Sequence, residues 1–300
     1  MLKRSIALLI ITSSFFLQKA QAQNVDLFSE QNETESSDIT TGTFKASRIV
    51  NGQSIENVGA GVLDFRILHR FGALSQGGYN LFGLDQATMR IGLDYGINSR
   101  LMVGVGRSTY EKQYDAFLKY RIIRQQDGNR HIPFSLSYAG TAIYKSLKEA
   151  TTIYTPYVSD KFSFAHQVLL ASKVNDYISL QLTPTLIHYN IVENKTMPND
   201  FYSVGAGFRL RLSKRLNLTT EYYHRVDKLN GYYDPLTIGL DIETGGHVFQ
   251  LHVTNSTGMT ERTFINETTG SWSKGDLRFG FNISRVFTVR KPKELRGIQF

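Results

Sequence analysis

The chain contains no cysteine, one tryptophan and six prolines in 300 residues. The missing thiols exclude disulfide frameworks, thiolate zinc sites, iron–sulfur clusters and cysteine nucleophiles together. Long apolar runs are also missing: the mean hydropathy is −0.24, and no stretch approaches the roughly 20 residues that a helix needs to cross a bilayer. A helical membrane protein is therefore excluded, but a membrane protein is not. What the chain does have is 16 Tyr, 19 Phe and 25 Gly, a mixture poor for helices and suited to sheets. With 41% hydrophobic and 12% aromatic residues, wholesale disorder is excluded as well.

Met1-Leu2-Lys3-Arg4 opens the chain with positive charge, Ile6 to Leu17 is apolar, and Ala20-Gln21-Ala22 supplies small residues. That order is the layout of a secretory signal, with cleavage expected after Ala22. Removing residues 1–22 takes away Lys3, Arg4 and Lys19, so the net charge falls from +8 to +5. Asp26, Glu30, Glu33, Glu35 and Asp38 then follow with no Lys or Arg before Lys45. Residues 23–57 are expected to form an acidic, largely unstructured tail.

From Val58 to Val289 the chain repeats one pattern, about ten residues alternating apolar and polar, which is the period of a strand with two unlike faces. In the segment from Gln86 to Ile97, Ala87, Met89, Ile91, Leu93 and Tyr95 share one face, and Thr88, Arg90, Gly92 and Asp94 share the other. Twelve such segments can be counted; ten or fourteen strands result if Thr43–Val50 also pairs or if a long loop hides a hairpin. Several links are tight, such as Asn98-Ser99, Asn175-Asp176 and Lys214-Arg215, and they alternate with mostly longer ones. Alternating short and long links along an even number of strands is the wiring of an outer-membrane barrel, not of a Greek-key sandwich. The expected fold is thus all-β, a transmembrane antiparallel up-and-down barrel of about 12 strands with both termini in the periplasm. The remainder, 290–300, is a basic tail.

Arg278 to Phe287 looks like the terminal strand that barrel-assembly machinery recognises, which names that machinery and outer-membrane lipid as expected partners. Gly61 to Gly72, Gly245 to His252 and Phe279 to Phe287 together resemble an uncharacterised outer-membrane β-barrel family of Bacteroidota, over about Thr43 to Lys293. The resemblance implies an outer-membrane location and brings no activity with it.

The alternation places Arg66, Arg90, Lys119, Arg121, Arg209, Arg211, Arg225 and Arg278 on the inner wall, against Asp64, Asp94, Asp115, Glu221 and Asp241. A twelve-stranded lumen is wider than a side-chain-filled eight-stranded one, and its positive surplus favours a small anionic solute. The expected function is a narrow, anion-leaning pore. Its alternatives are a closed barrel acting through its outward loops, with the wall charges paired across the lumen, and a lipid-modifying barrel enzyme. The acidic tail is a candidate plug for the basic lumen, set against a plain solvated linker.

Catalysis on lipid needs a Ser/His pair on the outer face. His69, His166, His188 and His224 have that parity, and Ser172 shares it with His166, but at the wrong end of the strand; no catalytic constellation emerges. His247 and His252, five residues apart in a strand, face opposite ways and suggest no metal site. No cofactor and no nucleic-acid partner is indicated, because the basic residues are spread along strand faces.

Overall fold

The computed structural model describes residues 39–127, 131–148, 157–192 and 197–290. The expected signal segment, residues 23–38 of the acidic tail and nearly all of the basic tail lie outside the described residues. Twelve antiparallel strands form one closed barrel in chain order. They are β1 (Val62–Ala73), β2 (Ala87–Gly96), β3 (Leu101–Ser108), β4 (Gln113–Ile123), β5 (Ser135–Lys145) and β6 (Phe162–Lys173), then β7 (Ile178–Tyr189), β8 (Asp200–Arg211), β9 (Leu216–Arg225), β10 (Leu236–Thr244), β11 (His247–Thr254) and β12 (Arg278–Thr288). β1 closes on β12 from Val62↔Thr288 to Ala73↔Arg278, with one irregularity after Arg70. Closure leaves no unpaired strand edge, which is the condition for crossing lipid with strands.

Side chains alternate as the period of two demands. On β4, Gln113, Asp115, Phe117 and Lys119 point inward and are buried, while Tyr114, Ala116, Leu118 and Tyr120 point out. Outward Ile91, Leu93, Val105, Leu118, Leu182, Val204 and Ile238 are all exposed to a similar degree. A continuous apolar belt of this kind is intolerable in water and is what hydrocarbon requires. Tyr95, Tyr120 and Tyr138 ring the belt towards one end, and Tyr114, Tyr144, Tyr202 and Tyr222 towards the other.

The two ends differ. At the turn end, β2–β3, β6–β7, β8–β9 and β10–β11 are joined by two to four residues. The fifth turn-end link, β4–β5 over 124–134, is longer, and so are the loop-end links, except β3–β4, where Thr109–Lys112 suffice. β1 begins and β12 finishes at the turn end, so Gly61 N lies against Gly96 O at 2.8 Å.

Two segments depart from expectation, and both enter the barrel. Residues 43–57, assigned by the sequence to an unstructured tail, form a hairpin inside the lumen. Arg48 pairs with Gln53, and Ile49 N donates to Gly52 O at 2.9 Å. The chain enters at the turn end, where Thr40 N meets Gln125 O, and returns there at Gly61. Its composition explains the correction: Phe44, Ile49, Val50 and Ile55 supply apolar surface that an acidic linker lacks. The loop after β11, expected to project outward, instead folds into the loop end, burying Met259, Glu261, Phe264 and Ile265.

Candidate functional site

The candidate site is the lumen, and the inner wall builds it. Asp64, Arg66, Arg90, Asp94, Asp115, Lys119, Arg209, Glu221, Arg225 and Asp241 are all buried inside it. Arg121 and Arg211 stand at its turn-end rim and Arg278 at its loop-end rim, each half-buried.

Part of this charge pairs along the wall. Arg66 Nη2 is 2.6 Å from Asp64 Oδ2, and its Nε is 4.0 Å from Asp94 Oδ2. Arg90 Nε donates to Asp115 Oδ1 at 2.8 Å, with a second bond from Nη2 to Oδ2. Such forked pairs are held by two parallel bonds.

Arg225 donates to Asp234 and to the carbonyls of Tyr232 and Asn266, and Asp241 accepts from Thr219 and Gln250, whereas Lys119, Glu221 and Arg209 grip the hairpin. Lys119 Nζ donates to three of its carbonyls, Ser47 at 3.0 Å, Ser54 at 3.0 Å and Glu56 at 2.6 Å. Glu221 does the reverse and accepts from the tip amides of Val50, Asn51 and Gly52 at 3.3, 2.9 and 3.0 Å. Three successive amides pointing at one carboxylate form an anion nest, here filled by the wall itself. Arg209 Nη1 donates to Gly42 O and, at 2.8 Å, to Thr43 O. Gln250 Nε2 donates to Ile49 O at 2.6 Å and Asn282 Nδ2 to Val50 O at 3.0 Å. Hydrogen bonds to charged groups contribute about 1.5–3 kcal/mol each, so this set holds the hairpin firmly.

The engagement differs in kind from charge neutralisation by an acidic tail. Between residues 43 and 57 the hairpin carries Lys45, Arg48 and Glu56, so it is not acidic. On the hairpin, wall cations meet backbone carbonyls and neutral side-chain oxygens such as Ser47 Oγ, not carboxylates, apart from Arg121 Nη2 at 3.8 Å from Glu56 Oε2.

Four contributors escaped sequence reasoning. Arg70 shares the inward parity of Asp64 and Arg66 and was open to detection by it. Its Nη2 donates to Asn51 Oδ1, its Nη1 to Gly258 O at 2.6 Å, and its Nε to His252 Nε2 at 3.3 Å. Arg48, Glu261 and His252 complete the junction at which hairpin and infolded loop meet, and Arg48 Nη1 lies 3.3 Å from Glu261 Oε1. Below the loop, Phe264 and Ile265 pack on Ile187, Phe201 and Tyr223.

On the outer face, Ser172 Oγ donates to Pro133 O at 2.7 Å, while His166 Nδ1 lies 2.6 Å from Tyr138 Oη. These two are thus not joined as nucleophile and base. His188 and His224 each meet an aspartate near the loop end, Asp200 at 2.7 Å and Asp234 at 3.1 Å. His69 stacks on Phe281 with ring centroids 4.7 Å apart. Among the described residues no three His, Asp or Glu gather as a metal-binding group.

Belt, closure and buried polar lumen define the class: a membrane-spanning β-barrel, filled from both ends by its own chain. Over residues 44–287 the sequence matches the family described as "Membrane bound beta barrel domain (DUF5777)", and the chain belongs to that family. No curated protein matches significantly. Among solved structures the chain is similar to the NanC porin, with 9% identity, TM-score 0.47, and 75% of this chain and 98% of that one covered. It is also similar to the KdgM porin, with 10% identity, TM-score 0.46, and coverage of 75% and 99%. The COG4313 outer membrane channel from Pseudomonas putida F1 has 12% identity, TM-score 0.46, and coverage of 77% and 96%.

Proposed function

We propose that this protein is a narrow outer-membrane channel whose lumen is throttled by its own N-terminal hairpin. The observation that carries this reading is the paired clamp of Lys119 on three hairpin carbonyls and Glu221 on three hairpin amides. A wall built only for stiffness would satisfy these two charges by pairing them along the wall, as it does for Arg90 and Asp115.

The anion preference belongs in this scheme to the barrel freed of its hairpin. There Lys119 loses its three carbonyls, Arg209 loses Thr43 O and Arg70 loses Asn51 Oδ1, in a wall with more cations than acids. The native chain conducts weakly, and its charges are engaged. Both termini lie on the periplasmic side, a reading supported by the short turns, the start of β1 and the end of β12 sharing one end. The β12 strand is the contact for barrel-assembly machinery.

Single-channel recording tests this reading, comparing the mature chain with a deletion of residues 43–57. The deletion is expected to conduct several times more current and to prefer chloride over potassium. Equal conductance in the two proteins overturns the reading.

A further inference from the structure

The outward positions of the strands carry almost no formal charge. Among the described residues the exceptions are Arg107, Asp200 and Arg285. The first two stand at the loop end, where Arg107 lies 4.7 Å from the centre of the Tyr114 ring and Asp200 meets His188. Arg285 stands at the turn end, exposed, close to where β12 finishes. No carboxylate occupies an outward position anywhere on β10, β11, β12, β1 or β2.

A cation on a lipid-facing wall is tolerated where it reaches the headgroups or meets an anion. The Arg285 guanidinium lies 5.0 Å from the centre of the Phe287 ring, a cation–π contact. Phe287 shares a row with Leu63 and Tyr95 of the turn-end girdle, so Arg285 leans out of the belt towards the interface. His247 stands directly across from it, the first residue of β11 and also outward. Cross-strand partners have Cβ atoms about 5 Å apart, so these two side chains reach the same patch of surface. Phe65 flanks Arg285 on β1, and Phe249 stacks on His247 with ring centroids 6.1 Å apart. The adjoining turn leaves room, since a Cβ on Gly246 would meet nothing within 4 Å.

We propose that Arg285 and His247 bind the phosphate of one anionic phospholipid in the leaflet at the turn end. The guanidinium fork takes two non-bridging phosphate oxygens and the imidazole N–H donates a third bond. The acyl chains then run along Phe65, Ile67 and Ile283 towards the middle of the belt. Bound in this way, the lipid spans β11, β12 and β1 and braces the barrel where its last strand closes on its first. The site is outside the lumen and independent of the hairpin and of conduction. Only the naming of its leaflet, as the periplasmic one, rests on the reading of the termini given above.

Native mass spectrometry of the mature chain tests the site, with phosphatidylglycerol and phosphatidylcholine offered in equal amounts. Both lipids carry a phosphate, but the choline of the second sets another cation beside Arg285. The native protein is expected to retain one phosphatidylglycerol about fivefold more often than phosphatidylcholine. Arg285→Gln is expected to abolish this preference and His247→Gln to reduce it about twofold. Lys214→Gln, exposed in the β8–β9 turn at the same end, is the comparison and is expected to keep it. A preference that survives in Arg285→Gln overturns the site. An equal loss in Lys214→Gln also overturns it, because the attraction is then diffuse. Excess inorganic phosphate is expected to leave the lipid in place, held by its chains; displacement assigns the patch to a free anion and overturns the lipid. If Arg285→Gln fails to insert, Arg285→Lys replaces it, keeping the charge and losing the fork. Its preference is expected to fall by about half, and an unchanged preference overturns the site.

Discussion

Arg48 and Glu261 meet 3.3 Å apart in the interior of the barrel, both almost wholly buried. Arg48 arrives on the hairpin from the turn end, and Glu261 on the loop after β11 from the loop end. The two insertions therefore meet at a buried ion pair. Arg48 Nη1 also donates to Asn51 O at 2.8 Å, and its guanidinium lies 5.5 Å from the centre of the Phe117 ring. The junction thus ties the hairpin tip, the infolded loop and the β4 wall together.

Removing one member of a buried pair costs about 3–5 kcal/mol, because the other charge is left uncompensated. Glu261→Ala is expected to lower thermal stability and to raise the fraction of time the channel conducts. Replacing both members with apolar residues, Arg48→Met with Glu261→Met, removes the stranded charge and is expected to restore most of both. Thermal unfolding and single-channel records of the three variants check this; an unchanged Glu261→Ala shows that the junction holds nothing.

Close approach, not backbone conformation, explains the glycine at the hairpin tip. A Cβ at Gly52 would run into Tyr223 Oη, with Tyr223 Cζ at 3.1 Å. Gly52→Ala is therefore expected to lift the tip off the Glu221 nest at a cost of about 1–3 kcal/mol, the usual range for overpacking. Tyr223→Phe removes the colliding oxygen, so the double variant is expected to be closer to the native protein than Gly52→Ala alone. Conductance measured across this four-member cycle decides it.

The barrel was legible in the sequence because its rule is local. Strand pleat alone sends Asp64 and Arg66 inward and Phe65 and Ile67 outward, and the same parity carries Arg90, Asp94, Asp115 and Lys119 to the lumen. Arg70 obeys this parity too. The hairpin was not legible, because what holds it comes from remote strands: Lys119, Glu221 and Gln250 lie 63 to 201 residues away from the groups they bond. Nothing in Ile49-Val50-Asn51-Gly52-Gln53 alone distinguishes a plug tip from an ordinary turn. For the loop after β11, length argued for projection, and only tertiary packing on Phe201 and Tyr223 reverses it.

At the loop end, Asp234 reports on acidity. Burial alone would raise its carboxyl, but hydrogen bonds from Tyr222 Oη at 2.9 Å, Arg225 N and Nε at 3.3 and 3.2 Å, and His224 Nδ1 at 3.1 Å outweigh it and hold the group below its ordinary value. A depressed folded value means that the stabilisation is full well above the unfolded carboxyl, about 3.9, and is lost as pH falls through the lower folded value. Asn255 Nδ2 donates to Asp234 O at 3.1 Å, and the sole tryptophan, Trp272, donates from Nε1 to Leu236 O at 2.9 Å. Acidification through this range is expected to shift the Trp272 emission, and Asp234→Asn to remove most of that shift. An identical acid titration in the variant assigns the transition elsewhere.

Lys119 separates a clamp from a mere contact. Its ammonium has its three bonds to Ser47, Ser54 and Glu56 carbonyls and is fully buried. A lysine in such a place is tolerable only because those carbonyls replace its water. Removing the hairpin while keeping Lys119 strips the charge of its partners but lets water back, so the barrel survives and the cation becomes part of the open lining. Lys119→Met with the hairpin present does the opposite: three carbonyls lose their donor while the methionine fills similar space. The expected result is a hairpin that leaves its seat more often, seen as brief openings to the conductance of the 43–57 deletion, with less chloride preference in the open state than that deletion shows. Adding Lys119→Met to the deletion itself is expected to leave conductance nearly unchanged and to reduce only the ion preference, since the clamp no longer has anything to hold. Reversal potentials in a potassium chloride gradient measure this, and an equal chloride preference with and without Lys119 removes it from the lining.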